Sequence, residues 1–348
     1  MMPLSFTPAC LPIAPAGLPH TNPAAAITAL HTQTPALLSW PRLPRRSFRE
    51  FSYVQNASGF PGLTIDMAAG RAWVDRSAAE EGLDALALSY LRGEHTIGAL
   101  DLESAQGLYE LFRTLNNGFH GHALRGHLFG PISLALQLTD QHQRPLAYDG
   151  SLLEGLTHHL ALRAMWQYRE LVERSNDVII CLEEPFLEAF QSPFCPLTLE
   201  QGVELIDRVL EGVRGCRGLS ATGEPPWAAL LETSVELIAL DAWGHASALT
   251  SVPTALARFL ARSGTVVWGI VPIAEEALAA ATAESLAGRF RAILDELVGV
   301  GLSREQLVAR ALLSTSASLG RLSVAAAERA LSLCAETSAL LRKEFALG

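Results

Sequence analysis

Acidic side chains recur at the ends of short apolar runs in this chain. VIICLEEPF at 178–186 runs into Glu183, Glu184 and Pro185. GLSAT at 218–222 leads to Gly223 and Glu224, and VELIALDAW at 235–243 reaches Asp241, with His245 four residues on. His20 follows the first apolar run in Gly17-Leu18-Pro19-His20. Carboxylates gathered at one place hold a proton at raised pH or take up an ammonium group. Imidazoles beside them carry protons near neutral pH. Asp241, His20 and His245 are therefore candidates for proton transfer, and Glu183 and Glu184 for holding or polarising a ligand. Arg45, beside Arg46 in a proline-broken stretch, would grip an anionic group if its loop folds over the site. Trp268, with Trp166, Trp227 and Trp243, offers a flat surface for a ligand, although core packing is the commoner use of each. The plainer alternatives stand beside these: Glu184 contacting a helix start, Asp241 capping the next helix, and His158 and His159 serving structure in mid-helix. His122 and His127 lie five apart on one predicted strand, so they face opposite sides and do not chelate together.

These residues need a frame that brings strand ends together. From about residue 120 short apolar runs alternate with longer segments of helical period. HALRGHLFGPISLALQL at 122–138 reads as strand, Gly-Pro turn and helix, and 151–174 as a long helix. Strands follow at 178–186, 218–222, 235–243, 265–272 and 311–315. Between and after them come helices at 198–215, from Pro225 onward, at 252–264, one or two within 274–301, and a last one at 323–345. Such alternation means parallel strands joined by right-handed crossovers. Eight strands give a (β/α)8 TIM barrel and fewer give an open sheet; no GxGxxG follows an early strand, which weakens the dinucleotide-binding version. In a barrel, catalytic groups sit at the C-terminal strand ends, so the acids, His20 and His245 would share one mouth. Residues 37–75 differ: LTIDMAAGRAWVD at 63–75 resembles a β-hairpin, and the segment reads as an insertion capping the barrel within a single domain, 1–348.

Composition removes several function classes. With 49% hydrophobic and 18% charged residues the chain can build a core and is not disordered. The formal charge is −10 and no Lys/Arg block stands out, so nucleic acid is an unexpected partner. No apolar run approaches the roughly 20 residues that span a bilayer. The N-terminal stretch is apolar but proline-rich and lacks a basic segment, a poor signal peptide. Five scattered cysteines without a CxxC pair suit a reducing compartment, and the expected location is the cytoplasm.

Taken in order, several stretches resemble the superfamily of cobalamin-independent methionine synthase and uroporphyrinogen decarboxylase, most closely the short single-barrel relatives of the methionine synthase catalytic domain. They are GLPHTNPAAAI at 17–27, SWPRLPRRSFRE at 39–50, RGHLFGPISLALQLTD at 125–140, CLEEPFLEAF at 181–190, DAWGH at 241–245, VVWGIVP at 266–272 and STSASLGRLS at 314–323. The resemblance covers nearly the whole chain. It implies a methyltransferase in which zinc holds a substrate thiol as thiolate, through an H-x-C pair, an acid and a late cysteine. At those positions this chain has Ser220 and Thr222, Asp241, and Ala317. Only Asp241 of that ligand set is retained, so no cofactor is expected. The implied function is a methionine-synthase-like homologue acting on or binding a small molecule at the barrel mouth, with a methyl-carrier protein as a further partner. The alternatives are a catalytically inactive ligand-binding barrel and a metal-free decarboxylase-like lyase.

Overall fold

The computed structural model describes residues 4–347. Met1–Pro3, where the N-terminal stretch and the predicted domain begin, and Gly348, where that domain ends, lie outside the described residues. Eleven strands are present among the described residues: β1 (Leu11–Pro12), β2 (Leu37–Ser39), β3 (Leu63–Asp66), β4 (Arg71–Val74), β5 (Ala123–Phe129), β6 (Thr139–Asp140), β7 (Asp177–Glu184), β8 (Cys216–Ala221), β9 (Leu237–Leu240), β10 (Thr265–Val271) and β11 (Ala311–Thr315). Eight of them pair in the order β1-β11-β10-β9-β8-β7-β5-β2, every ladder parallel. The edges β1 and β2 are joined just beyond their ends, where Arg42 N–H donates to the Ala16 carbonyl at 2.8 Å and Leu18 N–H to the Arg42 carbonyl at 2.9 Å. The result is a nearly closed (β/α)8 barrel, as the alternation predicts.

The segment 37–75 is divided by this topology. Leu37–Ser39 is a barrel strand paired with β5, so the inserted part begins only after it. The hairpin falls where the turn residues place it: Leu63 pairs with Val74 and Asp66 with Arg71, antiparallel, and β6 adds to its edge.

Helices return the chain along the outside. Their starts carry side-chain caps: Asn22 accepts from Ala24 and Ala25 N–H, Asp149 from Ser151 and Leu152 N–H, and Thr198 forms a capping box with Gln201. The helix expected after Pro225 lasts one turn, Trp227–Leu230. The Thr233 hydroxyl then takes the Leu230 carbonyl, an alternative to further helix that threonine readily offers.

The barrel lumen has its own apolar layer. Ile13, Leu37, Ala123, Ile179, Cys216, Leu237, Val267 and Leu312 form one buried cluster, one residue from each barrel strand or its immediate continuation. Leu4 and Phe6 of the N-terminal segment join it. Two residues further along, where side chains point inward again, stand Ser39, Arg125, Cys181, Gly218, Ala239, Gly269 and Ser314. Small side chains at most of these positions leave space above the apolar layer.

Candidate functional site

That space opens at the C-terminal strand ends as a cavity of about 780 Å³. Such a volume suits a small organic ligand. Two loops build much of its wall. The first follows β2 and carries Arg42, Pro44, Arg45, Phe51 and Tyr53 to the cavity. It is pinned by Glu50, wholly buried, which accepts the Leu43 N–H at 2.9 Å and pairs with Arg46 at 3.2 Å. Burial pushes the Glu50 carboxyl up to about 7, against the pull of the Leu43 N–H and the guanidinium groups of Arg46 and Arg42. The second loop follows β11 and brings Ser316, Ala317, Ser318 and Arg321. It packs so close to Gly17 that a Cβ there would lie 2.3 Å from the Ser318 hydroxyl.

Several of the residues singled out from the sequence reach the cavity. Glu183 faces it and binds Arg42 Nη1 at 2.7 Å, with both side chains largely buried. Its charge is thus already met by a guanidinium, which leaves less for a ligand ammonium. Arg45 stands at the rim and donates to the Arg321 carbonyl at 2.7 Å. Ser220, Thr222 and Ala317 also line the cavity, and the Thr222 hydroxyl donates to the Pro185 carbonyl at 3.2 Å.

Five of the residues singled out from the sequence, four of the acids and histidines expected at one mouth and one tryptophan, do not turn their side chains into the cavity. Glu184 touches the cavity edge, but neighbouring strand residues face opposite sides, and its carboxylate turns to the helix Pro131–Gln137. There it accepts Ile132 N–H at 3.0 Å and Ser133 N–H at 2.7 Å, and burial raises its pKa to about 7. Trp268 is fully buried on the outer face of β10, edge-on to Phe290 at 6.2 Å, while Val267 and Gly269 face the lumen. Asp241 lies just past β9, outside the lining, and its Oδ1 accepts from Trp243 and Gly244 N–H at 2.9 Å each. His245 also lies outside it, 3.6 Å from Glu224 on the surface. His20, although buried, points to the C-terminal helix Val324–Glu344 and meets Glu328 at 3.2 Å. Of the remaining aromatics and histidines, Trp227 and Trp166 are buried outside the lining, His127 stacks on Trp40, and His122 stacks on Phe6.

Sequence reasoning missed Arg42, Arg125 and Arg321, which together with Arg45 make the mouth cationic. Arg125 had a signal: it is the one charged residue in a seven-residue strand, ALRGHLF, that is buried throughout. Among the described residues no three His, Cys, Asp or Glu side chains are grouped as a metal site. No helix is long and apolar enough to cross a membrane.

No protein-family model matches the chain, and no curated protein is similar to it in sequence. Solved structures do match. A methyltransferase from Methanosarcina mazei is similar over 99% of this chain and 95% of its own, with a TM-score of 0.54 at 14% identity. A B12-independent methionine synthase from Shewanella sp. W3-18-1, solved with selenomethionine, matches 67% of this chain with a TM-score of 0.48 at 18% identity. The present chain spans 65% of that protein's length. At 14% identity the likeness to the Methanosarcina mazei protein shows a shared fold alone.

Proposed function

We propose that this chain is a methyltransferase-like barrel that takes a small molecule in its mouth and works without a zinc–thiolate centre. The observation that carries the reading is the side-chain set at the positions where the resemblance places metal ligands. Ser220 and Thr222 offer neutral hydroxyls, the latter already donating to Pro185, and Ala317 offers a methyl group. Asp241 commits one carboxylate oxygen to its own turn. Zinc wants four strong N, S or carboxylate donors in tetrahedral array. This donor set does not fit it.

What the chain does offer is binding and orientation. The apolar lower layer excludes water from the floor, Phe129 and Phe186 supply an aromatic wall, and the paired Arg42 and Glu183 form a polar face. One observation favours binding without methyl transfer: the candidate proton carriers Asp241, His20 and His245 all lie off the cavity lining.

Metal analysis by mass spectrometry, on protein purified without chelators, tests the reading together with zinc titration by calorimetry. The expected result is substoichiometric zinc and no tight site. One zinc per chain, lost on Asp241→Ala, would overturn it.

A further inference from the structure

Among the described residues four guanidinium groups line the cavity, and one of them has a carboxylate partner. Arg42 is neutralised by Glu183. Arg45 and Arg321 stand at the rim on the two loops described above. Arg125 is the most enclosed of the unpaired three, only 6% exposed. Its Nη1 donates to the Ala14 carbonyl at 2.7 Å, the guanidinium also hydrogen-bonds the Cys181 thiol, and its Nε finds no hydrogen-bond partner among the described residues. Among the described residues no carboxylate forms an ion pair with Arg125, Arg45 or Arg321. Glu184, the other nearby acid, turns to the helix start.

A buried charge without a counter-charge is costly, and the cost falls when an anion arrives. A guanidinium presents a planar fork that fits carboxylate and phosphoryl oxygens alike. Near these cations the cavity also exposes apolar rings: Phe186 is 41% and Phe51 43% exposed, and both line it. Exposed aromatics beside an unmet cation suit a ligand that is part anion and part flat apolar body.

We infer that the mouth takes an organic oxyanion. Its carboxylate or phosphoryl group meets Arg125, its approach is guided by Arg45 and Arg321, and its apolar body lies along Phe51 and Phe186. This inference rests on the reading of the mouth as a small-molecule site and names the class of molecule.

Calorimetry and thermal melts of the full chain with benzoate, phenyl phosphate and benzylamine test it. The three probes share a ring and differ in charge and oxyanion. The expected result is saturable binding of at least one anion, with benzylamine at least about tenfold weaker. The better anion then identifies the carboxylate or the phosphoryl group as the preferred partner. Arg125→Gln is expected to weaken that anion about tenfold or more. Because Arg125 also holds Ala14, the rim double variant Arg45→Gln/Arg321→Gln serves as a second arm, with a smaller loss and a shallower dependence on salt. Benzylamine binding as tightly as the anions, or anion affinity unmoved in both variants, would overturn the inference. If none of the probes binds zinc-free protein, the oxyanion assignment falls and the metal-free reading stands; zinc found with anion binding intact gives the reverse.

Discussion

Glu184 spends a carboxylate where no solvent reaches it. The side chain has no exposed surface, and it supplies acceptors for the Ile132 and Ser133 N–H groups, which a helix start leaves without intrahelical partners. Gly130 belongs to the same arrangement, because a Cβ at that position would lie 2.3 Å from the Glu184 carboxyl carbon. The glycine is thus required for space. Glu184→Ala should cost about 2–4 kcal/mol of stability, since two buried donors lose their acceptor. Gly130→Ala should destabilise as well. The double variant should lose less than the sum of the two, because both changes break one contact. Urea denaturation of the three proteins measures all of this; a Glu184→Ala protein within about 0.5 kcal/mol of wild type would refute the anchoring role.

The strand, not the single residue, decides which side chain reaches the ligand. Along β7 and β10 alternate positions face the lumen, so Glu183 and Val267 enter the cavity while Glu184 and Trp268 face the helices. The sequence reveals these strands readily, and it places the Gly-Pro turn, the hairpin and the long helices close to where they form. It does not reveal their phase. VIICL and TVVWGIV are apolar on both faces, as parallel strands covered by helices must be, and an alternation without contrast cannot say which face is inward. The Arg42–Glu183 pair is hidden for another reason, since it joins residues 141 positions apart that meet only once the barrel closes. The phase has a measurable consequence. Trp268→Leu should lower stability by about 2–3 kcal/mol through a void against Phe290. It should leave the affinity for the preferred anion probe within about twofold, because the indole does not line the cavity. Thermal melts and calorimetry on the same variant separate the two; a large loss of affinity at unchanged stability would put Trp268 in the site.

At the scale of the whole molecule, buried ionisable groups set how the fold responds to pH. The carboxyls of Glu50 and Glu184 are both pushed up to about 7 from an ordinary value of 4.5, chiefly by burial. The buried imidazoles of His127 and His159 are pushed well below 6.5, again chiefly by burial. The two sets act in opposite directions. For the carboxyls the native state holds protons that the unfolded chain releases, so their contribution is complete below pH 4.5 and is lost as pH rises through about 7. For the imidazoles the unfolded chain takes up protons that the native state refuses, so stability falls as pH drops below 6.5. Glu184→Gln isolates one carboxyl from this balance, since the amide stays neutral and keeps an acceptor oxygen. Relative to that variant, wild type should lose stability steadily between pH 5 and pH 8, by up to about 3 kcal/mol. Denaturation midpoints of both proteins across that range read the difference directly. Parallel curves would mean that Glu184 titrates as an ordinary carboxylate, and the helix start it holds would then carry a full negative charge throughout.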